Sequence, residues 1–262
     1  MRDYHTHTFR CKHAKGDVED YVKYALEHDI DVLGVSDHTA LPDNWIPEIR
    51  MDIGELPDYV EAIEKAQKKY PQLQILKGME CEYQKKYHSF FQEELLGKWK
   101  FDYLILAQHL FYCDGQLVYF WKDTKGVKEL KVYTDILVAG MESGLFTFVG
   151  HPDAFGCFYL DWDKETQACS RYIFEAAEAY HLPLEINGNG FRKGEMNTAQ
   201  GVRLRYPLNP FWEMASQYNV QVLVNSDAHR PEEVGTFLAE GQELAERYGL
   251  EVIDLLEILE DD

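Results

Sequence analysis

The sequence predicts an α/β protein, a closed or nearly closed (β/α)7 barrel formed as one domain over residues 1–262. Three observations lead there. Short apolar runs alternate with amphipathic stretches from end to end, which implies βα units and a mostly parallel sheet. Seven such runs recur at roughly 30 to 40 residues, about the length that one βα unit takes. No low-complexity tract, Pro/Gly linker or internal repeat interrupts them. An open doubly wound sheet is the competing architecture.

The strand candidates are RDYHTH at 2–7, VLGVSD at 32–37, QILKGME at 74–80 and DYLILAQ at 102–108, followed by LFTFVG at 145–150, LPLEIN at 182–187 and VQVLVN at 220–225. All are short and rich in Val, Ile, Leu, Phe and Tyr, as parallel strands buried on both faces are. Helical patterns lie between them. VEDYVKYALEH sets Val18, Tyr21, Val22 and Ala25 on one face, with Asp17 placed to cap it. ELPDYVEAIEKAQKKY, GVKELKVYTDILVAGME, KETQACSRYIFEAAEAY and NPFWEMASQYN repeat the pattern. The chain closes on LEVIDLLEILEDD, which reads as a helical tail.

Composition narrows the function. With 45% hydrophobic and 14% aromatic residues the chain can bury a substantial core. Its 46 acidic and 26 basic residues give a net charge of −20, which repels phosphate backbones and anionic membranes. Neither a nucleic acid nor a membrane is expected as partner; a small phosphorylated substrate, steered by local positive charge in a cleft, is compatible. Five cysteines (Cys11, Cys81, Cys113, Cys157, Cys169) show no CxxC spacing. With no signal-peptide core and no apolar run long enough to cross a bilayer, a reducing, cytoplasmic setting is expected.

Residues with ligating chemistry collect where the strand candidates end. His5 and His7 close the first and His13 follows shortly after; His38 follows the second, Glu80 ends the third, His109 and His151 follow the fourth and fifth. Asn187 ends the sixth, and Asp227 and His229 follow the seventh. Barrel active sites are built at these carboxyl ends. In an extended segment residues i and i+2 point the same way, so HTH at 5–7 and DAH at 227–229 each offer two side chains to one side. Imidazole with carboxylate suits zinc, iron or manganese, and Glu80 has two oxygens with which to bridge ions. His5, His7, His13, His38, Glu80, His109, His151, Asp227 and His229 exceed what one ion takes, which implies at least two ions and comfortably three. Singly each of these is an ordinary residue. Jointly they place seven of the ten histidines at strand ends, leaving His28, His88 and His181 as structural.

As an ordered series, HTH at 5–7, His13, SDH ending at His38, GME ending at Glu80, His109, GHPD from His151 and SDAH ending at His229 resembles the polymerase-and-histidinol-phosphatase (PHP) superfamily over nearly the whole chain. The size and the HTHTFRCKH opening are similar to its histidinol-phosphate phosphatases. The resemblance implies a distorted seven-stranded TIM-like barrel with three divalent ions. His5, His7, Glu80 and Asp227 would hold the first, Glu80, His109 and His151 the second, and His13, His38 and His229 the third. It further implies that a metal-bound hydroxide hydrolyses L-histidinol phosphate to L-histidinol and phosphate, without a protein nucleophile.

Arginines are natural clamps for the phosphate. Arg192 in NGNGFRKG is the first candidate, then Arg230 beside His229, then Arg10. Asp17, Asp37 and Asp153 are candidates for orienting the ligating histidines. Two other readings compete: a general small-molecule phosphoesterase or a phosphodiesterase or exonuclease of the same superfamily, and a metal-binding module without turnover.

Overall fold

The chain is described by a computed structural model that covers residues 1–122 and 125–261. Its strands are β1 (Arg2–Asp3), β2 (Val32–Val35), β3 (Gln74–Cys81), β4 (Tyr103–Leu106), β5 (Leu110–Cys113), β6 (Gln116–Tyr119), β7 (Phe148–Val149), β8 (Leu184–Asn187), β9 (Glu195–Thr198), β10 (Gly201–Leu204), β11 (Gln221–Asn225) and β12 (Glu251–Val252). The helices are α1 (Val18–Glu27), α2 (Leu56–Lys69), α3 (Val127–Glu142), α4 (Lys164–Tyr180), α5 (Gly188–Arg192), α6 (Asn209–Ala215), α7 (Leu238–Tyr248) and α8 (Leu255–Asp261).

Eight strands form one parallel sheet in the order β1-β2-β3-β4-β7-β8-β11-β12. The sheet curls until its ends meet. His7 N–H donates to the Ala228 carbonyl at 2.8 Å and Ala228 N–H to the His5 carbonyl at 3.1 Å, around a parallel bridge between Thr6 and Ala228. That seam is divided along its length. The start of β11 pairs with β12, through Gln221 with Glu251 and Val222 with Val252, while the chain beyond its end meets the continuation of β1. Two partners thus share one edge of β11. This distorts the barrel, and it explains why the first strand candidate is regular only at Arg2 and Asp3.

The strand β12 departs from the helical tail expected at the C-terminus. Ile253 N–H continues the ladder by donating to the Val222 carbonyl at 2.9 Å, so only α8 of that tail is helical. Two antiparallel hairpins, β5–β6 and β9–β10, rise from the loops after β4 and β8. The helix α1 follows expectation, with Val18, Tyr21, Val22 and Ala25 buried and Asp17 capping through a box with Asp20.

Two apolar bodies result. The larger lies between the sheet and its helices. The smaller fills the amino-terminal end of the barrel, where Tyr4, Val32, Leu76, Tyr103, Ile105, Phe148 and Leu223 pack with Leu255 of α8. Tyr103 spans this floor and donates to the Tyr4 carbonyl at 2.6 Å. Gly34 and Gly78 make room for it, since a Cβ at Gly34 would lie 2.1 Å from its hydroxyl oxygen and one at Gly78 2.3 Å from its ring. Among the described residues no helix is long and apolar enough to cross a membrane.

Candidate metal centre

At the opposite, carboxyl end the other eight expected ligands gather around Glu80. This carboxylate is buried in the mouth of the barrel, and its residue, in β3, is bridged to His38 in the continuation of β2. Its Oε1 lies 3.2 Å from His5 Nε2, 3.1 Å from His151 Nε2 and 3.5 Å from His109 Nε2. Its Oε2 lies 2.9 Å from His38 Nδ1 and 3.6 Å from His7 Nε2. Asp227 Oδ1 approaches His7 Nε2 at 3.0 Å, His229 Nδ1 at 3.4 Å and His5 Nε2 at 3.8 Å. His229 Nε2 meets His13 Nε2 at 3.1 Å, closing the cluster on its outer side.

The backbone is strained where two of these side chains leave it. His151 has φ +31° and Asp227 has φ +49°, in the left-handed region that non-glycine residues enter rarely.

The donor atoms are poorly satisfied by one another. His5 Nε2, both ring nitrogens of His7, His38 Nδ1, His151 Nδ1, Glu80 Oε2 and Asp227 Oδ1 are buried without a hydrogen-bond partner. Buried polar atoms are normally paired, and the orphans that face one another here, His5 Nε2, His7 Nε2, His38 Nδ1, Glu80 Oε2 and Asp227 Oδ1, fit divalent cations. Ligand atoms of His5, His7 and Glu80, of His38, Glu80 and His109, and of His7, His38 and His229 lie within 4.8 Å of one another in each set.

Without cations the titration is divided. Burial pushes the His7 imidazole down, but Asp227, Asp37 and Glu80 outweigh it and raise it to about 9. His5 behaves alike: burial opposes, and Glu185, Asp227 and Glu80 hold it well above its usual value. Burial drives His38 down to about 3, with the charge of His7 adding to the effect. His13 and His229 are lowered by burial and by neighbouring imidazoles, which keeps them neutral, the ligating form.

Some orienting groups were not expected. Glu185, buried on β8, accepts from His5 Nδ1 at 2.8 Å and from the His151 N–H at 3.1 Å, and Asn187 and Asn225 donate to it at 2.7 and 3.0 Å. Glu82 lies 3.1 Å from His109 Nδ1, and the Cys11 carbonyl accepts from His13 Nδ1 at 2.7 Å. The signal for Glu185 was an acid inside an otherwise apolar strand, LPLEIN, and for Glu82 a second acid two positions after the expected ligand Glu80, just past β3.

The other expected residues separate. Asp37 stands 3.6 Å from His7 Nδ1 and is held by Thr8 N–H at 3.0 Å, which suits an orienting role. Asp17 caps α1 and pairs with Arg10 at 2.5 Å, away from the ligands. Arg10 is taken up by Asp17 and Asp58, so it faces no phosphate site. Asp153 accepts from the Leu208 N–H at 2.6 Å and Trp212 Nε1 at 3.0 Å, anchoring the 205–212 segment and not a histidine. Burial raises its carboxyl to about 6. Arg192 differs from the phosphate clamp expected of it: Nη1 donates to Thr236 at 2.8 Å and Nη2 to the Ser226 and Asp227 carbonyls at 2.5 and 2.7 Å. It braces the turn that carries Asp227. Arg230 does line the mouth, in a cavity of about 580 Å³ shared with Phe120, Trp121, Asn189, Lys193 and Tyr206. Of the unassigned histidines, His28 and His181 end α1 and α4 and His88 follows a short helical turn.

The chain is similar to known proteins. A protein of Deinococcus radiodurans named "Probable histidinol-phosphatase" is 28% identical over 243 residues, spanning 89% of this chain and 88% of that one. A protein of the same name from Schizosaccharomyces pombe is 24% identical over 257 residues, 88% of this chain and 81% of that one. The crystal structure of histidinol phosphate phosphatase from Lactococcus lactis, complexed with zinc, L-histidinol and phosphate, superposes with a TM-score of 0.74 at 16% identity, covering 96% of this chain and 95% of that one. A model described as PHP-associated matches residues 211–247. The PHP domain model matches residues 3–189, and the chain belongs to that family.

Proposed function

We propose that the protein is a metal-dependent phosphomonoesterase that hydrolyses L-histidinol phosphate to L-histidinol and phosphate. The observation that carries this reading is the set of buried, unpaired imidazole and carboxylate atoms converging on Glu80 beside an open cavity. The names of the Deinococcus and Schizosaccharomyces relatives support the substrate.

Three divalent ions, of zinc, manganese or iron, are assigned to the ligand sets His5, His7, Glu80 and Asp227; Glu80, His109 and His151; and His13, His38 and His229. When bound, such ions supply Lewis acidity to the phosphoryl oxygens and an activated water for in-line attack. The chain holds them in place: Glu185 fixes the His5 ring through Nδ1, Glu82 that of His109, and Arg192 the Asp227 turn. Arg230 and Lys193 bring positive charge to the mouth, where the phosphate dianion enters a strongly acidic molecule. Phe120, Trp121 and Tyr206 give the mouth an aromatic wall against which the leaving group's imidazole packs.

Phosphate release from L-histidinol phosphate and from a generic aryl phosphate, by the metal-loaded protein, tests this. The expected preference for histidinol phosphate is a hundredfold or more in kcat/KM, about 2.7 kcal/mol of transition-state discrimination. Equal slow rates would reduce the reading to a general phosphoesterase, and absence of release from both would remove it.

A further inference from the structure

Arg50, on the loop between β2 and α2, is fully buried at 0% exposure. Its Nη1 donates to Glu82 Oε2 at 2.7 Å, whereas its Nε and Nη2 have no hydrogen-bond partner. Glu82 is equally buried, and its other oxygen, Oε1, faces His109 Nδ1 at 3.1 Å. The opposite nitrogen of that ring faces Glu80. Arg50, Glu82 and His109 therefore form a line of contacts that ends at the ligand cluster.

Stability does not account for this line. Taking a guanidinium and a carboxylate out of water costs several kcal/mol per ion, and apolar side chains of equal volume commonly do as well or better. Two unpaired donors add to the penalty. The reason lies in the position of Glu82. It stands two residues from Glu80 along one extended segment, on the same face, with its carboxylate beside a ligand. A carboxylate there has two fates: to accept the Nδ1 proton of His109, or to swing inward and take a ligand's place. The contact from Arg50 occupies Oε2 and leaves only Oε1 for His109. Arg50 is itself held in place, donating to the Thr39 carbonyl at 3.4 Å beneath the Trp45 ring at 5.4 Å.

We infer that Arg50 is a positioning residue that commits Glu82 to orienting His109 and keeps the carboxylate out of the metal shell. The inference rests on His109 being a ligand. It is tested by metal binding and not turnover, so loss of the phosphatase reading would leave it standing.

The test is a double-mutant cycle on the full chain with Arg50→Met, Glu82→Gln and the pair, plus Arg50→Lys. Zn²⁺ affinities are measured by calorimetry, and the visible spectrum of the Co²⁺-loaded protein reports ligand geometry. Arg50→Met is expected to weaken one ion about tenfold or more and to change the Co²⁺ bands. Arg50→Lys should bind within threefold of the wild type. Because Arg50 acts through Glu82, removing it from Glu82→Gln should have no further effect, so the pair and Glu82→Gln should agree within threefold. Arg50→Met with wild-type affinity and spectrum would overturn the inference. So would a pair tenfold weaker than Glu82→Gln, which would make Arg50 an anchor for its loop. Should Arg50→Met fail to fold, the pair, which buries no unpaired charge, is compared with Glu82→Gln and decides between the same two outcomes.

Discussion

The two ends of the barrel are built from the same strands and treat polarity in opposite ways. β3 places Leu76 in the floor and Glu80 in the mouth; β11 and the residues after it place Leu223 and Asp227 likewise. Ile105 of β4 lies in the floor and His109 follows four positions on. Within β3 a separation of four keeps both side chains on the inward face of an extended segment, whereas His109 and Asp227 reach the mouth from the turns just beyond β4 and β11. At the floor that face is apolar and is sealed by Leu255 with Ile253, Leu256, Ile258 and Leu259. At the mouth it is charged, buried and unpaired. The floor supplies burial free energy, roughly 25 cal/mol per Å² of apolar surface, and the mouth draws on it to hold groups that repel one another. The candidate site lies at the end where buried polar atoms go unpaired.

The largest expected effect breaks the mouth alone. Glu80→Gln keeps the shape but removes the anion that five imidazoles face. Losing several kcal/mol of metal-derived transition-state stabilisation corresponds to about a thousandfold fall in kcat/KM for phosphate release. Circular dichroism should be unchanged. Activity within tenfold of the wild type would show that Glu80 is not the hub.

A somewhat smaller effect belongs to the floor. Leu255 is fully buried under the barrel, and Leu255→Ala should lower the unfolding free energy by about 3 kcal/mol in denaturant titrations. At temperatures where the variant is folded, kcat/KM should stay within twofold. A loss of activity approaching that of Glu80→Gln would mean that the floor sets the geometry of the mouth, and the two ends would no longer be separable.

The same contrast governs what could be read from the chain. Seven sheet strands were legible because buried parallel strands are apolar throughout, and the cluster around Glu80 because its residues follow those runs. β12 was illegible: Glu251 and Val252 are exposed, and their pairing is decided by the divided seam of β11, a tertiary fact. Glu185 and Glu82 stood in view as acids inside apolar runs, yet their partners, His5 and His109, lie on other strands. Arg192 misled for a related reason. Its glycine-rich loop does lie at the expected end, but folding sets its guanidinium beside the Ser226 and Asp227 carbonyls, a neighbourhood that no spacing along the chain encodes. Asp17 was legible as a cap, because capping is local.

The smallest expected effect sharpens the comparison by coupling it to metal. A ligand that binds only the folded state stabilises it by RT ln(1 + [L]/Kd), about 2.7 kcal/mol at a hundredfold excess over Kd. Zn²⁺ titrated into the metal-free protein should therefore raise Tm, and a chelator should reverse the rise. Leu255→Ala starts from a lower Tm but keeps every ligand, so its gain in unfolding free energy should equal that of the wild type. Glu80→Gln loses a buried anion that the imidazoles face and so also starts from a lower Tm, and its gain in unfolding free energy should be much smaller, because the carboxylate that faces five imidazoles is gone. Equal gains in all three proteins would place the stabilising ion away from Glu80, and a diminished gain in Leu255→Ala would show that packing at the floor is transmitted to the ligands at the mouth.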